Sequence, residues 1–368
     1  MSALIARPTH ALPEDPGSLA FTTTTETTIL AGKSVTYDLY APDGPSQPAP
    51  IVVVGHGFQR TRANMADWGR ELARRGHVAA VPGFPGSDHA ANGKIVAELL
   101  DWLVTASQQA GSPLAGRVDG SRRAAVGFSA GGLAALLAAS QDPEIDVVVG
   151  LDPVDSSGLA AAAAAAIKAP VIFILGEPGS CNNNGNAASV FASLVAPRLS
   201  LRVKNATHCD AESPTGFLCE LVCGAQDKAR HLSFRRYAFA ALDYLLRCDA
   251  TMAPWLGGAS AKADTGITDI VVQAGFPPTP SCATAPDAGP PADDAGPDVD
   301  ATTRDAGEAR PPHDAGPVRS DSAQAGDGST PHDDGCSMTR RPRPAPPLLP
   351  SALLLLLLLR SRPKNTRR

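Results

Sequence analysis

Residues 123–128, with the apolar run Ala124-Ala125-Val126, read as a strand. They run without a spacer into Ser129 and the small-residue stretch 130–139. A strand that becomes a helix across one residue, with Gly127 and Gly131 two positions either side of it, constrains the fold more than any other feature. Such a turn forces the central serine into a strained conformation and lifts its hydroxyl clear of the sheet. Bulk two positions away would block it, and the two glycines meet that need. The following helix aims its N-terminal N–H groups at the same point, where negative charge is favoured.

Strands and helices alternate around this turn. Ile51, Val52, Val53 and Val54 form a continuous apolar run of the kind found in strands buried on both faces. Helices are expected at 65–75, 94–105, 130–139, 187–194 and 230–246, and further strands at 77–81, 145–151, 171–175 and 199–203. The pattern predicts an α/β fold with a mostly parallel central sheet and helices on both faces. The Thr-rich segment 20–40, with a turn at Ala31-Gly32-Lys33, reads as an antiparallel hairpin at a sheet edge. The organisation expected is an N-terminal extension (1–19), a catalytic domain (20–250) and an extension of that domain (251–276). A linker (277–335) and a tail (336–368) follow. The catalytic domain is expected to be monomeric.

The linker is set apart by composition. Asp-Ala-Gly units recur at Asp287, Asp294, Asp305 and Asp314 among prolines and acidic residues. Such a segment cannot bury enough apolar surface to offset its chain entropy and is expected to be disordered. The net charge of -5 and the lack of a basic face interleaved with aromatics exclude nucleic acid as a partner. Five of the seven cysteines fall between Cys181 and Cys248. No CxxC pair with a matching second pair accompanies them, so a zinc site is not expected and disulfides are. That points to an exported protein. The first 20 residues lack the apolar stretch of a signal peptide, which places the expected true start upstream.

An ester-cleaving serine needs a base, an acid that orients it and donors for the oxyanion. The triad order of such folds puts the histidine late in the chain. Among eight histidines, His208 follows the last expected strand and opens a loop. His10, His313 and His332 lie outside the expected domain, His231 starts the closing helix, and His77 and His89 come early. His56 is read as packing and orienting its loop. Asp152, Glu177 and Asp155 are all candidates for the acid. The backbone N–H groups of Ala130, directly after Ser129, and of Phe58, in the loop Gly55-His56-Gly57-Phe58, are the expected oxyanion donors. No metal or organic cofactor is implied.

These motifs resemble the α/β-hydrolase superfamily, and within it the chlorophyllase-like serine esterases. The resemblance rests on His56-Gly57-Phe58, the segment 68–76, the Ser129 elbow and Leu151-Asp152-Pro153-Val154-Asp155. Leu175-Gly176-Glu177-Pro178, Cys181-Asn182 and His208-Cys209-Asp210 add to it. It covers about residues 45–250. That branch, like the platelet-activating-factor acetylhydrolases, takes its acid from the strand after the nucleophile helix, which implies Asp152, with Glu177 the alternative. Phe128 and Ala130 stand where chlorophyllases carry His and Arg, which argues against chlorophyll as substrate. The implied activity is carboxylic ester hydrolysis on a small-molecule or lipid ester. A lipase- or cutinase-like polyester hydrolase and a non-catalytic surface binding protein on the same scaffold are the alternatives.

Cys336, the apolar run 348–359 broken by Pro350, and the Arg-rich end resemble the myxobacterial C-terminal sorting tail. The seven consecutive leucines at 353–359 are too few to span a bilayer, which takes roughly 20 residues. The resemblance implies removal of the tail and anchoring at the cell surface through Cys336, so that contact with a membrane is made through the tail alone. Six cysteines then remain for pairing.

Overall fold

The computed structural model describes residues 12–44 and 47–280. The expectations for residues 1–11, for the linker beyond residue 280 and for the tail with Cys336 lie outside them. Nine strands form one sheet: β1 (Phe21–Leu30), β2 (Lys33–Pro42), β3 (Ala49–Gly55), β4 (Val78–Pro82), β5 (Val118–Phe128), β6 (Val147–Leu151), β7 (Val171–Leu175), β8 (Arg198–Val203) and β9 (Ile267–Gln273). Their spatial order is β1-β2-β4-β3-β5-β6-β7-β8-β9. The six from β4 through β8 run parallel, and β2 and β9 join them antiparallel.

The first two strands form the expected hairpin, with β1 at the sheet edge. Ala31 and Gly32 both take positive φ (49° and 69°), the pair of left-handed residues that a two-residue hairpin turn requires.

The helices are α1 (Ala66–Arg74), α2 (His89–Gln108), α3 (Ala130–Gln141), α4 (Leu159–Ala163), α5 (Ala187–Ser193), α6 (Phe217–Cys223), α7 (Lys228–Arg247) and α8 (Ala259–Ala263). Alternation along the strands shows how they cover the sheet. Ile51 and Val53 of β3 join Ile95 and Leu99 of α2 and Leu133 of α3 in one apolar cluster. Val52 and Val54, on the other face, join Trp68 and Leu72 of α1 and Phe234 and Phe239 of α7 in a second. A strand buried on both faces has no polar positions to alternate, which is why β3 reads as an unbroken apolar run.

The structure departs from the sequence reading in instructive places. Helix α2 starts at His89, well before residue 94, because the Asp88 side chain accepts the Ala91 N–H at 3.0 Å and caps it. Helix α7 likewise starts behind an Asp227 cap. Helices α4, α6 and α8 and strand β9 are not expected from the sequence pattern. An all-alanine run shows no apolar periodicity, α6 turns its apolar side chains outward, and β9 is a short edge strand. Strand β9 lies in the 251–276 segment, which therefore supplies part of the sheet.

The N-terminal segment is also tied down: Glu14 pairs with Arg236, and the Asp15 carbonyl accepts from Arg75 at 2.7 Å. Among the described residues no helix is long and apolar enough to cross a membrane.

Candidate active site

Strands β5, β6, β7 and β8 are parallel neighbours, so the residues just past their C-terminal ends gather at one end of the sheet. Ser129, Asp152, Glu177 and His208 all lie there. Ligands of open α/β sheets bind at this end.

Ser129 joins β5 to α3 with φ 55° and ψ −121°. The conformation is held by backbone hydrogen bonds: the Ser129 N–H donates to Leu151 at 3.1 Å, and its carbonyl accepts from Val154 and Gly132 at 3.1 and 2.9 Å. A Cβ on Gly127 would lie 2.1 Å from the Gly131 carbonyl oxygen, and one on Gly131 would lie 2.3 Å from that of Gly55. Both glycines are therefore required sterically, as the motif predicts.

The imidazole of His208 meets Asp152, with Nδ1 and Oδ2 2.6 Å apart. Both residues are buried. The remaining acceptor capacity of Asp152 is used by the Gly176 N–H at 3.0 Å and the Asn182 amide at 3.1 and 3.3 Å. Asp152 itself sits at φ 44°, a strained conformation for a residue with a Cβ. The ring of Phe128 packs against that of His208, centroids 4.6 Å apart.

Glu177 is not part of this group. It is exposed, and its carboxylate accepts the Asn205 N–H at 3.0 Å. Asp155 is buried and accepts the N–H groups of Ala160 and Ala161, which ties it to the first turn of α4.

The expected oxyanion donors follow the same end of the sheet. Neither the Phe58 nor the Ala130 N–H donates to another group among the described residues. His56 orients the Phe58 loop. Its Nε2 accepts the Phe84 N–H at 3.0 Å, so the proton sits on Nδ1 and is donated to the Gly57 carbonyl at 2.9 Å. Burial holds His56 below the ordinary histidine value. His231 lies against the Asp210 carbonyl, and His77 against Asp243.

Ser129, His208 and Phe58 line a cleft of about 380 Å³, together with Leu218 and Val222 of α6. A second hollow of about 260 Å³, which includes Ala130, Phe84 and Asn92, shares Phe58 with it.

Three roles are not legible in the sequence. Asn182, noted there only as part of the Cys181-Asn182 resemblance, holds Asp152. Glu212, fully buried, pairs with Arg60 beside the Phe58 loop. Helix α6 forms one wall of the cleft.

Two disulfides frame the site, Cys181–Cys223 and Cys209–Cys219. Cys248 is disulfide-bonded as well. The Cys209, Cys219 and Cys223 sulfurs lie within 4.8 Å of one another, but all three are consumed in these bonds and offer no thiolate to a metal.

A search of curated proteins finds no match to the chain. The family described as PET hydrolase-like matches it over residues 7–220, more than half of its length and a span that includes Ser129, Asp152, Glu177 and His208. The motifs resemble the chlorophyllase-like branch, whereas the family matched is this other one of the same superfamily. With its mostly parallel sheet, its elbow after β5 and this match, the chain belongs to the PET hydrolase-like family, a group of hydrolases within the α/β-hydrolase superfamily.

Proposed function

We propose that the chain is a carboxylic ester hydrolase working through a Ser129-His208-Asp152 triad and an acyl-enzyme. The observation that carries this reading is the buried 2.6 Å contact between His208 and Asp152 beside a serine held in the elbow conformation. In this mechanism His208 takes the Ser129 proton as the hydroxyl attacks the acyl carbon, and returns it to the leaving alcohol. Water then cleaves the acyl-enzyme with His208 again as base. Asp152 orients the ring and stabilises its protonated form. The N–H groups of Phe58 and Ala130 hold the oxyanion. Removing one such donor typically costs on the order of 10²–10³ in rate.

Polyesters are the second substrate reading, favoured by the description of the matched family. Export is proposed as well, because disulfides persist in oxidising compartments. Hydrolysis of p-nitrophenyl esters, with fluorophosphonate labelling mapped by mass spectrometry, tests the central claim. Turnover together with a label on Ser129, both lost in Ser129→Ala, is the expected result. A protein that neither turns over esters nor takes the label is a binding protein on a hydrolase scaffold.

A further inference from the structure

Helix α6 inverts the usual arrangement of a short surface helix. Phe217, Leu218, Leu221 and Val222 are 67–74 % exposed, while Cys219 is buried. Seven residues are too few to hold a helix in water by themselves, since nucleation is costly. Here two covalent bonds hold it, one from Cys219 to Cys209 and one from Cys223 to Cys181. Each bond ends beside a residue of the candidate site. Cys209 is the chain neighbour of His208, and Cys181 is that of Asn182, whose amide holds Asp152. The helix is thus fixed to the two loops that carry the base and support the acid.

Large apolar side chains clustered in water on a rigid support mark an interaction site. What they meet is indicated by where they stand. Leu218 and Val222 are four residues apart, hence on one face of the helix, and both line the cleft that contains Ser129 and His208. Phe58, itself 57 % exposed, lines the same cleft. Whatever presents an ester carbonyl to Ser129 passes these side chains.

We propose that Leu218 and Val222 form an apolar subsite that determines specificity, binding the extended hydrophobic part of an ester substrate beyond its scissile bond. The proposal rests on the esterase reading and sharpens its substrate class to esters with a long or bulky apolar group on one side. Because the subsite is built on a disulfide-fixed helix, the contact surface exists before substrate arrives and ordering it costs little on binding.

The test compares kcat/KM for p-nitrophenyl acetate with p-nitrophenyl octanoate, and for ethyl acetate with octyl acetate, so that both sides of the ester are sampled. The wild-type protein is expected to prefer the octyl member of at least one pair. In Leu218→Ser/Val222→Ser that preference falls by about tenfold to a hundredfold, the range expected for losing contact with one or two aliphatic groups. Val195→Ser, another exposed apolar position, before β8 and outside the cleft lining, leaves it unchanged. If the double variant keeps the wild-type ratio for both pairs, the subsite is overturned while the esterase reading stands. If the wild-type protein cleaves none of the four esters, the esterase reading fails and takes the subsite with it.

Discussion

Arg60 and Glu212, 152 positions apart, form an ion pair that joins the two loops flanking the candidate site. The guanidinium Nε lies 2.8 Å from Oε2, and the carboxylate is fully buried. Arg60 follows Phe58 by two residues and Glu212 follows His208 by four, so the pair couples the loop of the proposed oxyanion donor to the loop of the proposed base. The Thr215 hydroxyl donates to the same carboxylate at 2.8 Å. Removing one partner of such a pair leaves a poorly solvated charge. Glu212→Ala is therefore expected to lower stability by about 3 kcal/mol, the lower end for a buried pair because Arg60 keeps some solvent contact. It should also lower kcat, since the loops of the proposed donor and base shift, and raise KM, since Phe58 and Arg60 line the cleft. Urea unfolding alongside ester kinetics checks both. An unchanged unfolding midpoint would show that the pair does not hold the loops.

The acid can be separated from its rival by two isosteric changes. Asp152→Asn should lower kcat by about 10⁴, the effect of stabilising the wrong imidazole tautomer. Glu177→Gln removes an exposed charge whose one side-chain hydrogen bond among the described residues is from the Asn205 N–H, and should change kcat by less than about threefold, as surface substitutions do. If Glu177→Gln abolishes turnover and Asp152→Asn does not, the triad is wrongly assigned.

The serine, the histidine and the parallel sheet were legible because each leaves a local mark. Ser129 sits in a spacing that steric exclusion dictates, and β3 is apolar at every position because both its faces are covered. His208 was reached by its place after the last parallel strand. The choice between Asp152 and Glu177 was not legible from spacing, since both end parallel strands and only the direction of the side chain separates them. The resemblance to a family that takes its acid after β6 pointed to Asp152, the residue the structure sets beside His208. Helix α6 was invisible for the opposite reason. Its stability comes from Cys219 and Cys223, bonded to distant cysteines, and pairing cannot be read from one sequence. Strand β9 and the Arg60–Glu212 pair are likewise products of tertiary contact with no local pattern.

The disulfides should contribute unequally to stability. They close segments of 42 and 10 residues, for which loop-closure entropy gives about 4 and about 3 kcal/mol. Cys181→Ser/Cys223→Ser is therefore expected to be the more destabilising of the two double variants. Both should lose activity beyond their loss of stability, because each frees α6 from one of the site loops. Unfolding midpoints with and without reductant, together with octanoate and acetate kinetics, read the two effects separately. Reductant that leaves activity intact would show that α6 holds its place without the bonds.

Three buried histidines set the acid side of the stability profile. Burial holds His56, His77 and His231 below the ordinary histidine value, and the opposing pull of the Gly57 carbonyl, the Asp243 carboxylate and the Asp210 carbonyl does not reverse it. In the unfolded chain each titrates near 6.5. Below that pH the unfolded chain takes up protons that the folded one does not, so falling pH favours unfolding. Their stabilisation is complete above about pH 6.5 and is lost as pH falls from there through the depressed folded values. Asp243 acts in a more acid window. Burial raises it, but His77 and the nearby Arg75 and Arg247 outweigh that and hold it below the ordinary aspartate value, so its contribution is lost only on protonation below that value. Urea midpoints are thus expected to be level above about pH 6.5 and to fall as pH drops below it. His77→Gln, which replaces the fully buried ring, should be less stable throughout and flatter below about pH 6.5. A wild-type profile that stays level below about pH 6.5 would mean that these rings take up protons in place without cost, and that their burial does not govern acid unfolding.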